Sequence, residues 1–192
     1  MFCECKHFAL FGFNAAKEKL EIVSGAARRR RRRNVFGLIQ EYCTKKMQIL
    51  IIHGPNLNKI GKRDTAHYGT KTLAELNDFV SEHAHALNPE IKLDFFQSNH
   101  EGSLIDYIQE RSLADGILMN PGALSHYSYA LSDALRDFRG KKVEVHLSDI
   151  KNREHFRANT VTGDACDAIF SGKKEESYKE GLTYLYQMIA GA

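Results

Sequence analysis

The chain has 192 residues, 43% of them hydrophobic, which suits one domain with a real core and room for an appendage. Its formal net charge of +3 is unevenly placed: residues 1–46 hold 11 Lys and Arg against 4 Asp and Glu, residues 47–192 hold 16 against 20. The body is thus mildly acidic, with no sign of a nucleic-acid face, and no run approaches the roughly 18 apolar residues of a membrane helix.

Residues 1–46 read as a basic N-terminal extension, disordered or not native. Arg28–Arg33 is six arginines in a row, a run that repels itself and stays solvated; the alternative is a nuclear-localisation or RNA-binding arm. No apolar core follows an early positive charge, as a secretory signal requires. Cys3, Cys5 and Cys43 precede the body and only Cys166 lies within it. That is no disulfide framework, and it points to a reducing, cytoplasmic setting.

From Met47 the pattern turns regular. Gln48–Ile52 is an apolar run that reads as a buried strand over 48–53, and Gly54-Pro55-Asn56 stops it. About fifteen residues then pass without clear period, and a loop of that length inside a domain is functional or disordered. It carries Arg63 and Tyr68 between glycines. A helix follows at 72–87, with Leu73, Leu76, Phe79, Val80 and Leu87 at helical spacing. Leu93–Gln97 is a second strand, and Ser98 or Asn99 would cap a helix running to Leu113. Gly116–Asn120 is a third strand, 126–138 a helix, 142–147 a fourth strand, and 152–158 a short helix. A weak fifth strand at 166–170 and a helix at 175–190 complete the chain. Strands alternating with helices mean βαβ units. Five of them predict an α/β fold with a flavodoxin-like, doubly wound, five-stranded parallel sheet in three α/β/α layers, a domain covering 47–192.

In such sheets ligands bind beyond the carboxyl ends of the strands. That rule gathers His53 and Asn56 after strand one, Asn120 after strand three, and His146 and Ser148 after strand four, with His126 nearby. Each has a structural alternative: Asn120 before Pro121-Gly122 is also turn chemistry, and His126 also suits a helix cap. Glu144 and His146 are two apart and share a strand face. Either they are a buried structural pair, or the carboxylate orients an imidazole as a general acid. A phenol, with a reference pKa of roughly 10, is a poor base unless a guanidinium favours its anion, which is what Arg63 would do for Tyr68. Together they equip a cleft to take a proton from carbon and expel a hydroxyl as water. Asn56 could hold a water or donate to a developing enolate. Backbone amides of Leu147 and Ser148 could cradle a carboxylate, and Arg157 could reach substrate hydroxyls. No lysine is placed for a Schiff base, and the nucleotide fingerprints GxGxxG and GxxxxGK are absent.

Four blocks in order, HGPNLNKIGKRDTAHYG, FFQSNHEGSLIDYIQE, GILMNPGALSHYS and VEVHLSDIKNREHFR, resemble the type II 3-dehydroquinate dehydratases over most of 47–165. The resemblance implies dehydration of 3-dehydroquinate to 3-dehydroshikimate, a step of aromatic amino-acid biosynthesis, by anti elimination through an enolate. It implies Tyr68 as base assisted by Arg63, His146 as acid supported by Glu144, and Asn56 as enolate-stabilising through a water. Asn120, His126, Asp133, Arg157 and the amides of Leu147 and Ser148 would bind substrate. It further implies no metal or cofactor, and trimers assembled into a dodecamer in which Asp133 reaches a neighbouring subunit's site. The chain departs from the family at Thr65-Ala66 and His67 in the loop, at Ser132 and Asp149, and at Ser171–Ser177, which replaces a glycine-rich turn.

Three other readings are weaker. A flavin-binding module would need a Ser/Thr-rich phosphate loop after strand one. Metal-dependent hydrolysis through His53, His126, Asp133 and His146 lacks any HxH or HExxH spacing. Nucleic-acid binding rests on Arg28–Arg33 alone.

Overall fold

In the computed structural model, residues 46–62 and 64–191 are described, Thr65 and Ala66 by backbone only. Arg63, the Arg28–Arg33 run and the three early cysteines lie outside them. The elements in order are β1 (Gln48–His53), α1 (Thr65–Tyr68), α2 (Leu73–Leu87), β2 (Lys92–Gln97) and α3 (Glu101–Glu110). They continue with β3 (Gly116–Asn120), α4 (Tyr129–Asp137), β4 (Lys141–His146), β5 (Ala168–Ser171) and α5 (Glu175–Ala190).

All strand pairs are parallel, in the order β2-β1-β3-β4-β5. Strand period 2 sorts the core. Ile49 and Ile51 face one side with Leu76, Val80 and Ala84 of α2 and Tyr178, Leu182 and Leu185 of α5. Leu50 and Ile52 face the other with Leu104 and Ile108 of α3 and Leu131 and Leu135 of α4. Both faces being covered, the central strands are apolar almost throughout, as a parallel sheet requires. Mid-helix Gly181 lets α5 lie close on the sheet: a Cβ there would come within 2.7 Å of Val145 and 3.0 Å of Leu118.

The three-layer, flavodoxin-like α/β fold stands, with local corrections. The loop after β1 contains a 3-10 turn at Leu57–Lys59 and the short helix α1. Neither Ser98 nor Asn99 caps α3. His100 occupies the cap, because the Ser98 hydroxyl accepts the His100 N–H at 2.9 Å in a local turn and Asn99 Oδ1 accepts the Asn56 N–H at 2.9 Å. α3 ends at Glu110, and Arg111 closes it with its N–H on the Ile108 carbonyl. The helix expected at 126–138 is a 3-10 turn, Gly122–His126, followed by α4; Ser128 caps α4 by accepting the Leu131 N–H at 3.1 Å. The 152–158 helix is two 3-10 turns, Ile150–Asn152 and His155–Ala158. β5 begins two residues late because Cys166 still belongs to the turn over Gly163–Ala165, its N–H on the Gly163 carbonyl.

Candidate active site

The sheet register sets the site. His53 pairs with Asn120 across β1 and β3, and Met119 with Glu144 across β3 and β4. The three central strands therefore end nearly level, and their connections bound one cleft. It is lined by Asn56, Tyr68, Asn120, His126, His146, Leu147, Ser148, Arg153 and Arg157, among others. Its volume is about 180 Å³, below the roughly 300 Å³ where drug-sized pockets begin, so it suits a small polar molecule rather than a dinucleotide.

The floor is built by close backbone approach. Gly54 donates its N–H to the Asn120 carbonyl at 2.7 Å, and a Cβ on Gly54 would lie 2.4 Å from the Pro121 oxygen. Only glycine fits there. Asn56, at φ 69°, turns the chain sharply into the cleft wall.

On the β4 side, His146 Nε2 meets Glu144 Oε1 at 2.7 Å, with both side chains buried. The Ser125 hydroxyl donates to the same oxygen at 2.7 Å, and the Thr162 hydroxyl donates to Oε2. Three donors converge on one buried carboxylate, which is how a buried charge is satisfied. Glu144 thereby orients the imidazole and leaves Nδ1 as the nitrogen available to the cleft. His126 donates from Nδ1 to the Asn159 carbonyl at 2.8 Å. Desolvation lowers its pKa, and Arg157 and His146 push the same way, against the Asn159 hydrogen bond and Glu144. The ring is neutral at pH 7, so Nε2 can accept a hydrogen bond from a ligand hydroxyl.

On the loop side, the Tyr68 hydroxyl accepts from Arg153 Nη1 at 3.0 Å, and the guanidinium lies 5.8 Å from the ring centre. The same nitrogen is 3.5 Å from Ser148 Oγ. Arg157, on the next 3-10 turn, is held by Glu154 at 2.7 Å.

The cleft thus brings together Asn56, Tyr68, Asn120, His126, His146, Leu147, Ser148 and Arg157, with Glu144 behind His146. Asp133 is not among the lining residues; it lies exposed on α4. His53 turns away from the cleft toward Tyr178 and Asn77. Asp149 spends its carboxylate on the Lys151 N–H and the Asn152 amide. Sequence reasoning missed Arg153, whose signal was a second arginine in the segment after β4. It also missed Ser125 and Thr162, which lie 19 and 18 residues from Glu144 and carry no local signal. Among the described residues no group of three His, Cys, Asp or Glu is placed to hold a metal ion, and no helix is long and apolar enough to cross a membrane.

Comparisons with known proteins identify the family. A family model described as dehydroquinase class II matches residues 47–186. A 3-dehydroquinate dehydratase of Bacillus pumilus is 46% identical over 137 residues, 71% of this chain and 92% of that protein. One from Bartonella henselae is 45% identical over 140 residues, 72% of this chain and 93% of that protein. The crystal structure of a type II dehydroquinase from Butyrivibrio crossotus superposes with a TM-score of 0.71 at 40% identity, covering 74% of this chain and 99% of that one. Matched over most of its length and nearly from end to end of its relatives, this chain belongs to the class II dehydroquinase family.

Proposed function

We propose that this chain dehydrates 3-dehydroquinate to 3-dehydroshikimate, a cofactor-free hydro-lyase step. The observation that carries the reading is the pairing of Tyr68, against the Arg153 guanidinium, with a glutamate-backed His146 on the walls of one small cleft.

In this reading the Tyr68 phenolate takes the proton from C2, and the electron pair moves into an enolate on the C3 carbonyl. Arg153, and Arg63 on the same loop as Tyr68, oppose the negative charge the phenol must carry. Asn56 steadies the enolate through a water. The enolate then collapses, the C1–O bond breaks, and protonated His146 gives its proton to the leaving hydroxyl. Substrate becomes enone plus one water. His146 ends neutral and Tyr68 protonated, and a net proton transfer through solvent restores both. Glu144 compensates the imidazolium before the step. Asn120, His126 and Arg157 hold ring hydroxyls, and the amides of Leu147 and Ser148 hold the carboxylate. Asp133, exposed on α4, completes the site of a neighbouring subunit in a homo-oligomer of trimers assembled into a dodecamer. Residues 47–192 form the catalytic unit, working in the cytoplasm, and residues 1–46 are dispensable for turnover.

The test is spectrophotometric. The full chain and residues 47–192 are each given 3-dehydroquinate without added metal, and the conjugated enone is followed in the ultraviolet. Equal turnover in both, with no loss on borohydride treatment, is expected. No absorbance change with the full chain sinks the assignment.

A further inference from the structure

Asn56 lines the cleft from a backbone position that side chains seldom take. Its φ of 69° and ψ of −1° are those of the third residue of a type II turn. Gly54 opens that turn, Pro55 takes the second place, where proline is favoured, and the Leu57 N–H closes on the Gly54 carbonyl at 3.4 Å. A type I turn of the same four residues differs mainly in the peptide between the two central ones, which is turned over. The Pro55–Asn56 peptide therefore decides which way Asn56 carries its side chain.

Contacts on both sides hold that peptide. Its N–H donates to Asn99 Oδ1 at 2.9 Å. Its carbonyl oxygen faces Gly122, so closely that a Cβ there would lie 3.0 Å away. Asn99 is exposed, yet its amide is pinned. Gln97 Nε2 donates to the same Oδ1 at 3.2 Å and to the Gly54 carbonyl at 3.3 Å. Between them, the buried Ser98 accepts the His100 N–H at 2.9 Å and donates to the His100 carbonyl at 3.3 Å, fixing the bend that presents Asn99. Backbone atoms settle both amide orientations. An N–H only donates, so Asn99 meets it with oxygen; a carbonyl only accepts, so Gln97 meets it with nitrogen. Neither Gln97 nor Asn99 lines the cleft.

We infer that Asn99, pinned by Gln97, is a positioning residue for the reaction: it holds the Pro55–Asn56 peptide in the orientation that carries the Asn56 side chain into the cleft, toward the enolate. The inference rests on the function proposed above. Positive φ is a state of a few per cent outside glycine, so this orientation needs a partner that the flipped peptide would lose. Asn99 is that partner. Turned over, the peptide would present its carbonyl to Asn99 Oδ1, and two acceptors cannot bond.

The test uses the full chain. Asn99→Ala removes the acceptor, whereas Asn99→Asp keeps an oxygen in its place. Asn99→Ala should lower kcat roughly three- to tenfold, the range over which one hydrogen bond shifts an equilibrium between two orientations. KM should change little, because the enolate forms only after substrate is bound. Asn99→Asp should restore most of the lost turnover. In an Asn56→Ala background Asn99→Ala should have no further effect, since a residue acting only through Asn56 is silent without it. A crystal structure of Asn99→Ala should show the Pro55–Asn56 peptide turned over in part or in full. Wild-type kcat in Asn99→Ala, an equal loss in the Asn56→Ala background, an Asn99→Asp variant as slow as Asn99→Ala, or an unmoved peptide overturns the inference. A wild-type enzyme without turnover instead overturns the proposed function, while the peptide orientation in Asn99→Ala still decides whether Asn99 holds it.

Discussion

In the proposed mechanism Tyr68 and Arg153 act as a pair. The phenol accepts from the guanidinium at 3.0 Å, and general-base catalysis of this kind is worth about 10²–10⁴ in rate. Tyr68→Phe should therefore lower kcat by at least about a hundredfold with little change in KM, since the missing oxygen acts in the transition state. Arg153→Met should lower kcat in the same direction. Steady-state kinetics on both variants check this: full turnover in Tyr68→Phe removes the base, and full turnover in Arg153→Met leaves Arg63 as the guanidinium partner. The Glu144–His146 pair is legible in the amino-acid sequence alone, because residues two apart on a strand share a face. Its other partners are not: Ser125 and Thr162 reach Glu144 only because the segments after β3 and β4 fold against each other.

Among the elements, the turn into α5 carries the strain. Within Ser171–Ser177 two residues take positive φ: Gly172 at 90° and Lys174 at 52°. Lys174 also has ψ −131°, a region populated almost only by glycine and costing other residues on the order of 1–3 kcal/mol. What holds it is a backbone bond from the Lys174 N–H to the Leu147 carbonyl at 2.9 Å, tying α5 to the tip of β4 where the cleft begins. Lys174→Gly keeps that bond and removes the strain. It should stabilise the protein by about 1 kcal/mol, net of glycine's entropy cost, seen as a rise of roughly 2–4 °C in Tm by calorimetry. An unchanged or lower Tm would mean the lysine side chain contributes more than its backbone costs. The short helix α1 is illegible in the sequence for a different reason: four residues hold too little periodicity to read, and such a helix forms only with tertiary support.

At the scale of the whole molecule, His53 links the fold's stability to pH. In the unfolded chain its imidazole takes a proton near 6.5; in the fold, desolvated, only near 4. Between those values the unfolded state binds a proton that the native state refuses, so stability is full above about pH 6.5, declines as pH falls, and levels near pH 4. The decline from this group amounts to about 3 kcal/mol. Urea unfolding at pH 7 and pH 4 should show it, and His53→Gln should flatten the profile by that share; an equally steep profile in the variant assigns the slope to other groups. The sequence by itself determined the order of strands and helices, the two-sided core and the pairing of Glu144 with His146. These follow from hydrophobic period and from the rule that parallel sheets present their carboxyl ends to ligands. Tertiary structure alone decided that Arg153 meets Tyr68, that Asp133 does not line the cleft, and that His53 turns from the site toward Tyr178 and Asn77. Those choices depend on distances between segments far apart in sequence, which local pattern does not encode and close packing does.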